Sequence, residues 1–434
     1  MTGPPAPGPL ATGPLADMRV VELCDEAGAW AGKLLADLGA DVVKVEPPGG
    51  NRTRGYPPFY RDEPHPDRSL YFWHYNTNKR SVTLDLDSDA GRDVFRRLVA
   101  RADVLLEDQP PARMAAVALD YPDLAATQPA LIMASITPFG RSGPRAAAPA
   151  TDLTILAGAG PAWSCGYDDH TLPPVRGGGN QGYQTACHWA VATTLVALLH
   201  RDFTGEGQHL DVNMHAASNV TTEAGTYQWL VARETVQRQT GRHAAPRPST
   251  PVQVRARDGR WVTTGVAPRR PREIATMLAW LDELGLRERF EQWPLLEAGA
   301  ALDHDISVAA MLEGGADAAI YGAVRDGLNF IAGAIDSYDF FVGSQQRNLQ
   351  CGIIYSPDEV IDDPHFRERG FAVDVEHPEL GASFVYPGAP YQLSASPWSI
   401  RRRAPLLGED TATVLAELGL APAEQAALRA AGIV

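Results

Sequence analysis

The chain has 434 residues, 44% of them apolar and 21% charged, which is typical of a soluble globular protein with two domains. Lys and Arg total 38 against 53 Asp and Glu, and the resulting net charge of −15 argues against a nucleic-acid or anionic-membrane surface. The Pro-, Gly- and Ala-rich residues 1–15 lack the basic start of a signal peptide, and no apolar run is long enough to span a membrane, so we expect a disordered tail on a cytoplasmic protein.

The N-terminal third of the chain alternates short apolar strands with helices. Strands are predicted at 18–23, 41–46, 82–86, 104–107 and 131–136. Helices are predicted between them at 27–38 and 90–100. Strand–helix–strand units of this length favour parallel pairing, and therefore an α/β sheet with helices on both faces. Because the first turn contains no G-x-G-x-x-G, we expect neither NAD nor flavin.

Basic residues recur in the loops that follow these strands. They are Arg52, Arg54, Lys79, Arg80, Arg113 and Arg141. Ligands of open α/β sheets bind beside such loops, although solvated surface charge is the ordinary explanation for an Arg or Lys. Since the chain as a whole is acidic, we interpret these cations as a site for a small polyanion whose phosphates they hold.

The stretch from Pro173 to Val212 joins a triple-glycine loop to a long apolar helix. Gly177, Gly178 and Gly179 precede a helix predicted from about 184 to 200, and a short strand is predicted at 209–212. A glycine loop before a helix N-terminus can present backbone N–H groups to an anion or a developing oxyanion. A tight turn before a core helix is the alternative interpretation.

The second half of the chain has a different pattern. A linker is predicted at 240–251, a hairpin at 252–255 and 261–266, and helices at 217–236, 271–284, 305–326 and 409–418. We therefore expect a large domain formed by 16–240 and 351–434, and a smaller α+β domain at 245–345. The four cysteines have no metal-ligand spacing, which predicts reduced thiols and no metal site.

Several segments together resemble one known family. MRVVEL…LLADLGADVVKVEPPGGNRTR, NKRSVTLDL, PALIMASITPFGRSGP, ALLHRDFTGEGQHLDVNM and APLLGEDTATVLAELGL are similar, in order, to segments of the class III CoA-transferases, or CaiB/BaiF family, which also contains alpha-methylacyl-CoA racemases. The resemblance implies a Rossmann-like large domain built from both chain ends, an inserted small domain and an interlocked homodimer. It also implies that the substrate is a CoA thioester.

The resemblance extends to individual residues. The residues that it implies contact CoA are Arg54, Lys79, Arg80, Asp108 and Arg113. Asp108 and the glutamine after it stand where the family usually has Asn-Phe.

The transferases of this family use an aspartate nucleophile, and two separate counts place Tyr183 at its position. One count runs forward from Pro173, and the other runs back from Thr204 in the TGEGQ motif. The family's racemases use a histidine–aspartate pair, and their G-H-D run reads Ala-Thr-Asp here, ending at Asp152. The candidate catalytic residues are therefore Tyr183, Asp152, Gly178 and Gly179, and covalent CoA transfer through the usual aspartate is in doubt.

Three classes of function fit these residues. In the first, the chain is a transferase-like enzyme in which Tyr183 donates a hydrogen bond or another carboxylate replaces the aspartate. In the second, it is an acid/base isomerase, racemase, lyase or dehydratase acting on an acyl thioester. The candidate bases are Asp152, Asp168, Asp169 and Glu223. In the third, it is a non-catalytic CoA-thioester-binding or scaffold subunit.

Overall fold

The computed structural model describes residues 13–434, except for the side chains of Glu223, Ala224 and Leu312. Most of the predicted tail at 1–15 therefore lies outside the described residues. The strands are β1 (Arg19–Leu23), β2 (Asp41–Glu46), β3 (Arg80–Thr83), β4 (Val104–Glu107), β5 (Ile132–Thr137), β6 (Gln208–Asn213), β7 (Gln237–Gln239), β8 (Arg242–Ala245), β9 (Gln253–Arg255), β10 (Trp261–Thr263), β11 (Gly352–Ile353), β12 (Ala372–His377) and β13 (Ala382–Pro387).

The α-helices follow the same chain order. They are α1 (Ala29–Asp37), α2 (Leu70–Tyr75), α3 (Asp89–Val99), α4 (Pro111–Ala116), α5 (Tyr121–Ala125), α6 (Asp152–Ala159), α7 (Gln181–Thr204), α8 (Met214–Asn219), α9 (Glu223–Ala232), α10 (Pro271–Glu283), α11 (Trp293–Ala300), α12 (Val308–Glu313), α13 (Ala316–Ala334), α14 (Ser337–Gln346), α15 (Pro357–Asp362), α16 (Pro364–Glu368), α17 (Thr411–Glu417) and α18 (Pro422–Ala430). Among the described residues, no helix has the length and apolarity needed to cross a bilayer.

Strands β1 to β6 form one parallel sheet in the order β3-β2-β1-β4-β5-β6. Val20 of β1 pairs with Val42 of β2 on one side and with Val104 of β4 on the other. This is the doubly wound Rossmann order, in which the chain changes direction across the sheet between β1 and β4. The predicted α/β fold with a Rossmann-like sheet is confirmed.

Strands β1 to β5 are buried on both faces, and alternate residues of each strand point to opposite sides. On one face Val20 and Val104 pack with α1 and α7, and on the other Val21 and Leu105 pack with α3 and α17. The apolar runs that predicted the strands are thus explained by two-sided burial. Every ligand-binding group of the sheet must then lie at a strand end or in a loop.

The chain divides into two compact units. The first comprises the described residues up to Cys165, together with 173–234 and 363–434, and it contains the parallel sheet. The second comprises 166–172 and 235–362, and its core includes Trp280 and Phe340. The predicted domain limits stay a prediction.

In the second unit, strands β9 and β10 form the predicted antiparallel hairpin, and β11 extends it. The prediction of one continuous helix at 305–326 is wrong. It is divided into α12 and α13 at Gly314 and Gly315, which have φ of 86° and 90°. An α-helix cannot continue through two residues with positive φ.

Candidate active site

A cleft of ≈ 290 Å³ lies at the carboxyl ends of β1 to β4 in the first unit. Its polar lining includes Asp25, Asn51, Arg52, Asp85, Gln109 and Arg113. The cleft adjoins the turn between β1 and α1, residues 24–28, which we call the β1–α1 turn. This is the place where an open sheet with this strand order binds its ligand, so the site search starts here.

Asp108, which follows β4, fixes the β1–α1 turn through the backbone. Its carboxylate accepts hydrogen bonds from the backbone N–H of Asp25 at 2.9 Å and from that of Gly28 at 3.0 Å. Loss of hydration and the nearby negative charge of Asp25 raise the pKa of Asp108 to about 7. Asp108 therefore joins β4 to β1 across the switch point of the sheet.

The carbonyl groups of the same turn are also held. Lys44 Nζ and Asn51 Nδ2 donate to the Cys24 carbonyl at 2.7 and 2.8 Å, and the Cys187 thiol donates to the Ala27 carbonyl at 3.2 Å. Lys44 and Cys187 are buried, so these contacts are shielded from water. The β1–α1 turn is consequently a rigid platform and not a loose loop.

Glu26 projects from this platform with one oxygen bound and one free. Its Oε2 accepts from Tyr56 Oη at 2.9 Å and from Arg52 Nη2 at 3.1 Å. Its Oε1 has no hydrogen-bond partner among the described residues, and the side chain is 25% exposed. Because Arg52 also lines the cleft, Glu26 lies beside the cleft wall.

Tyr183 is buried in the first turn of α7, and burial together with the negative charge of Glu26 raises its pKa to about 12. The phenol therefore stays protonated at neutral pH and is a hydrogen-bond donor. Its hydroxyl makes no hydrogen bond within the described part of the chain. A free donor and a free carboxylate oxygen thus occur in the same neighbourhood.

Asp152 lies at the start of α6 and caps the N-terminus of α7. Its Oδ1 accepts from the backbone N–H of Gly182 at 2.8 Å and of Tyr183 at 3.2 Å, while its Oδ2 pairs with Arg176 at 3.2 Å. Both carboxylate oxygens are occupied and the residue is buried. Two of the N–H groups at the N-terminus of α7, where an anion site was predicted, are therefore bound by Asp152.

The triple-glycine loop closes on itself through Arg176, whose Nη1 donates to the carbonyls of Gly177 and Gly179. Gly178 and Gly179 are exposed, and a Cβ at either would meet no atom within 4 Å. Gly179 has φ of +74°, a left-handed conformation that favours glycine. The structure brings Asp152 and Tyr183 together, but it gives the two glycines no contact that shows a chemical role.

An aromatic layer covers the start of α7. The rings of Tyr56 and Tyr71 are 5.3 Å apart, and those of Tyr71 and Tyr75 are 4.7 Å apart. Asn180 Nδ2 donates to Tyr71 Oη at 2.7 Å, which joins the layer to the residue before α7. Tyr183 itself belongs to the apolar core of the first unit, so its ring has a mainly apolar surrounding.

Two of the residues predicted to contact CoA are buried in ion pairs. Arg54 makes a two-point contact with Glu46, at 2.7 and 2.8 Å, and stacks 3.8 Å from the centre of the Phe72 ring. Lys79 Nζ lies 2.7 Å from Glu22 Oε2, and burial lowers its pKa to about 8. Both cations are 2% exposed or less, and their charges are used inside the fold.

The other predicted cations lie at opposite edges of the sheet. Arg80 begins β3 and pairs with Asp41 and Glu417, at 3.2 and 2.6 Å, so it is at the amino edge. Arg113 lines the cleft at the carboxyl edge and pairs with Asp87 at 2.6 Å. Of the predicted CoA-contacting cations, the structure brings Arg113 to the cleft.

The remaining candidate bases have partners of their own or lie outside the described residues. Asp168 pairs with Arg242 at 2.6 Å in the second unit, and Asp169 accepts from its neighbour Thr171 at 2.6 Å. The side chain of Glu223 lies outside the described residues. Within residues 13–434, no group of three or more His, Cys, Asp or Glu side chains could hold a metal ion.

Comparison with known proteins assigns the family. The model of the family described as CoA-transferase family III matches residues 15–411, which is nearly the whole chain. The chain belongs to CoA-transferase family III. Subunit BbsE of succinyl-CoA:(R)-benzylsuccinate CoA-transferase from Thauera aromatica is 30% identical over 408 residues, which are 92% of this chain and 93% of that protein.

Two further relatives of this CoA-transferase family III chain agree with the assignment. Formyl-CoA:oxalate CoA-transferase from Streptomyces coelicolor is 32% identical and covers 97% of this chain and 99% of its own. A crystal structure of a CAIB/BAIF family protein from Brucella suis superposes with a TM-score of 0.73 at 27% identity, covering 94% of this chain and 100% of that one. The predicted family is confirmed, and with it the assignment as an enzyme.

Sequence reasoning missed three residues of this candidate site. They are Glu26, Arg52 as a partner of a carboxylate, and Tyr56. A signal for Glu26 was present, because it stands just after the strand predicted at 18–23, where the carboxyl end of the sheet must lie. Nothing local indicates that Tyr56 returns to the same point, since that contact depends on how residues 47–56 fold back over β1.

Proposed function

We propose that this chain transfers CoA between an acyl-CoA thioester and a carboxylic acid, and that the CoA lies in the cleft at the carboxyl ends of β1 to β4. The observation that carries the proposal is that Arg52, which lines the cleft, binds Glu26, whose charge acts in turn on a Tyr183 hydroxyl without a hydrogen bond in the described chain. Arg113 and Arg52 are the cations available there for CoA phosphates. Arg54, Lys79 and Asp108 support the cleft from inside the fold.

Tyr183 occupies the position at which the usual nucleophile is expected, and its role in this proposal is to polarise the thioester. A protonated phenol in an apolar surrounding can donate a hydrogen bond to the carbonyl oxygen as negative charge develops on it. The charge of Asp152 at the two N–H groups of α7 fixes the backbone from which the phenol projects. Asp152 is then a positioning residue and not the base.

The substrates are tested with a panel taken from the relatives. The panel pairs succinyl-CoA or formyl-CoA with benzylsuccinate, mesaconate, glutarate or oxalate, the acids in the names of the similar transferases. We expect a new acyl-CoA, identified by chromatography and mass spectrometry, from at least one pair. Absence of product from every pair would contradict transfer, and loss of α-hydrogen or double-bond migration would favour acid/base chemistry.

The role of Tyr183 is tested by its phenylalanine variant. Removing one donor to a developing oxyanion lowers turnover by about 10²-fold, so Tyr183→Phe should lose that much while its affinity for CoA stays the same. Tyr227→Phe, at a half-exposed tyrosine of α9, is the matched control. Equal turnover of Tyr183→Phe and wild type would remove Tyr183 from the chemistry.

A second candidate is a subunit that works with a related chain. It is favoured by the relative from Thauera aromatica, which is itself designated a subunit, and by the tyrosine at position 183. In that case the chain alone binds CoA and yields no product from the panel, while mixing it with a related chain restores transfer. Calorimetry with CoA and the panel assay together separate the two candidates.

We also propose that α7 is an interface with a second copy. Its outward face carries a continuous apolar stripe. The stripe consists of Trp189, Val196, Leu199 and Phe203, from 47% to 82% exposed. A face of this kind on an acidic protein favours burial against another protein surface. Light scattering should give twice 46.7 kDa, and a monomer at micromolar concentration would contradict the homodimer.

A cytoplasmic location stays a prediction, supported by four unpaired cysteines.

A further inference from the structure

The negative charges of two carboxylates, Asp152 and Glu26, act on Tyr183. The two differ in whether both oxygens accept hydrogen bonds. Both oxygens of Asp152 accept hydrogen bonds from the fold, and its side chain is 7% exposed. Glu26 has one oxygen fixed and one oxygen without a partner among the described residues, and its side chain is 25% exposed. A carboxylate that must attack a substrate needs one oxygen that is fixed and one that is free.

Other acidic groups close to Glu26 have partners on both oxygens or are fully buried. Asp25 Oδ1 accepts from the backbone N–H and the hydroxyl of Thr53, at 3.2 and 2.7 Å, and its Oδ2 lies 3.7 Å from Arg52 Nε. Glu22 and Glu46 are completely buried in ion pairs with lysine or arginine. Asp108 uses its oxygens to hold the β1–α1 turn.

We propose that Glu26 is the catalytic carboxylate of this site, the group that receives first the acyl group and then CoA; the inference rests on the transfer function proposed above. Arg52 and Tyr56 bind Oε2 and orient the carboxylate so that Oε1 faces away from them. The β1–α1 turn holds the backbone of Glu26 on both sides, through Asp25 and Gly28. Such fixed placement of a reacting group is what covalent catalysis requires.

The reaction balances without a proton or an electron from outside. Oε1 attacks the thioester carbonyl, the C–S bond breaks, and CoA leaves as thiolate from a mixed anhydride. The thiolate then attacks Cδ of Glu26, and the donor acid departs as carboxylate with one oxygen that belonged to Glu26. The acceptor carboxylate attacks the resulting glutamyl thioester, and CoA thiolate returns to the acceptor carbonyl. Glu26 is regenerated with one oxygen from the acceptor.

The oxygen path gives a test on the unaltered protein. Wild-type protein is incubated with succinyl-CoA and the ¹⁸O-labelled form of whichever acid of the panel gives product. We expect one ¹⁸O in the peptide that contains Glu26, assigned to that residue by fragmentation, and label in the released succinate after further turnovers. Label on another carboxylate, or unlabelled peptide after many turnovers, overturns the assignment.

The variant Glu26→Gln tests the same point by kinetics. The amide oxygen can still accept from Arg52 and Tyr56, so the turn should persist, with CoA affinity within about threefold of wild type and turnover lower by at least about 10³-fold. Glu26→Asp, which moves the carboxylate back by one methylene, should keep a measurable part of the activity. Glu376→Gln, an exposed glutamate of β12, is the control that should leave turnover unchanged.

The outcomes separate this inference from the proposed function. If wild type gives no product with any pair, CoA transfer itself fails and Glu26 loses its role with it. If wild type gives product and Glu26→Gln turns over within tenfold of it, only the role of Glu26 fails. If Glu26→Gln does not fold, the ¹⁸O result on the wild-type protein decides.

Discussion

Asp152 accepts from the backbone of Tyr183 and the charge of Glu26 acts on its phenol, but the fold holds the two carboxylates in different ways. Asp152 is buried at the N-terminus of α7, where two backbone N–H groups and Arg176 use both of its oxygens. Glu26 stands on a turn whose backbone is fixed, while one of its own oxygens is left without a partner in the described chain. The difference shows that proximity to a site does not make a carboxylate reactive. A reactive one must also keep a free oxygen.

The largest effect on stability should come from the Asp152 side of the comparison. Asp152→Ala leaves two N–H groups of α7 without their acceptor and Arg176 without its counter-charge, and should lower the free energy of unfolding by about 2–3 kcal/mol. Arg176→Ala removes only a partly exposed ion pair and should cost about 1 kcal/mol or less. Urea unfolding of both variants measures the difference. A stable Asp152→Ala protein without turnover would reverse the comparison and make Asp152 the reacting group.

Asp108, which holds the β1–α1 turn that carries Glu26, should make the stability of the fold depend on pH. The pKa of Asp108 in the folded protein, about 7, is above its unfolded value, so protonation stabilises the fold at low pH and this stability is lost as the pH rises through about 7. Asp25 opposes ionisation of Asp108, and Lys44 favours it. Between pH 5.5 and 8 the wild type should lose on the order of 1–2 kcal/mol relative to Asp108→Asn. Parallel stability curves for the two proteins would show that Asp108 is ionised throughout.

A smaller effect on turnover should distinguish the hydrogen bonds that orient Glu26 from the other contacts of the aromatic layer. Tyr56→Phe removes one hydrogen bond to Oε2 and should lower turnover about three- to tenfold, with little change in stability. Tyr71→Phe removes a hydroxyl that accepts from Asn180 instead, so it is the matched control and should change turnover less. Steady-state kinetics on both variants measure this. Equal losses would mean that the layer acts as a whole and that Oε2 is not specifically oriented.

Patterns along the chain predicted the elements of the sheet because β1 to β5 are buried on both faces. The strand predicted at 104–107 has those limits in β4, and the helix predicted at 271–284 is α10 to within one residue. The helix at 305–326 was not predicted correctly, since an apolar period does not reveal that two glycines adopt positive φ. Periodicity reports burial, and it does not report a local change of backbone handedness.

The candidate site was less predictable than the sheet. The resemblance to the family singled out Tyr183 and Asp152, which the fold does bring together. The same reasoning assigned Arg54 and Lys79 to the ligand, whereas the fold pairs them with Glu46 and Glu22. An arginine in a loop has the same local sequence whether it faces a phosphate or a buried carboxylate. Only the packing of distant segments decides between them.

The smallest effects should come from the glycine loop that leads into α7. Gly178 has open space around it and no positive φ, so Gly178→Ala should change neither stability nor turnover measurably. Gly179 has φ of +74°, and Gly179→Ala should cost about 1 kcal/mol because a side chain disfavours that conformation. Thermal unfolding and the panel assay on both variants test this. If Gly178→Ala folds normally and loses turnover, the glycine loop contacts the substrate. The active site would then include Glu26, Tyr183 and the loop that leads into the N-terminus of α7, where Asp152 is the cap.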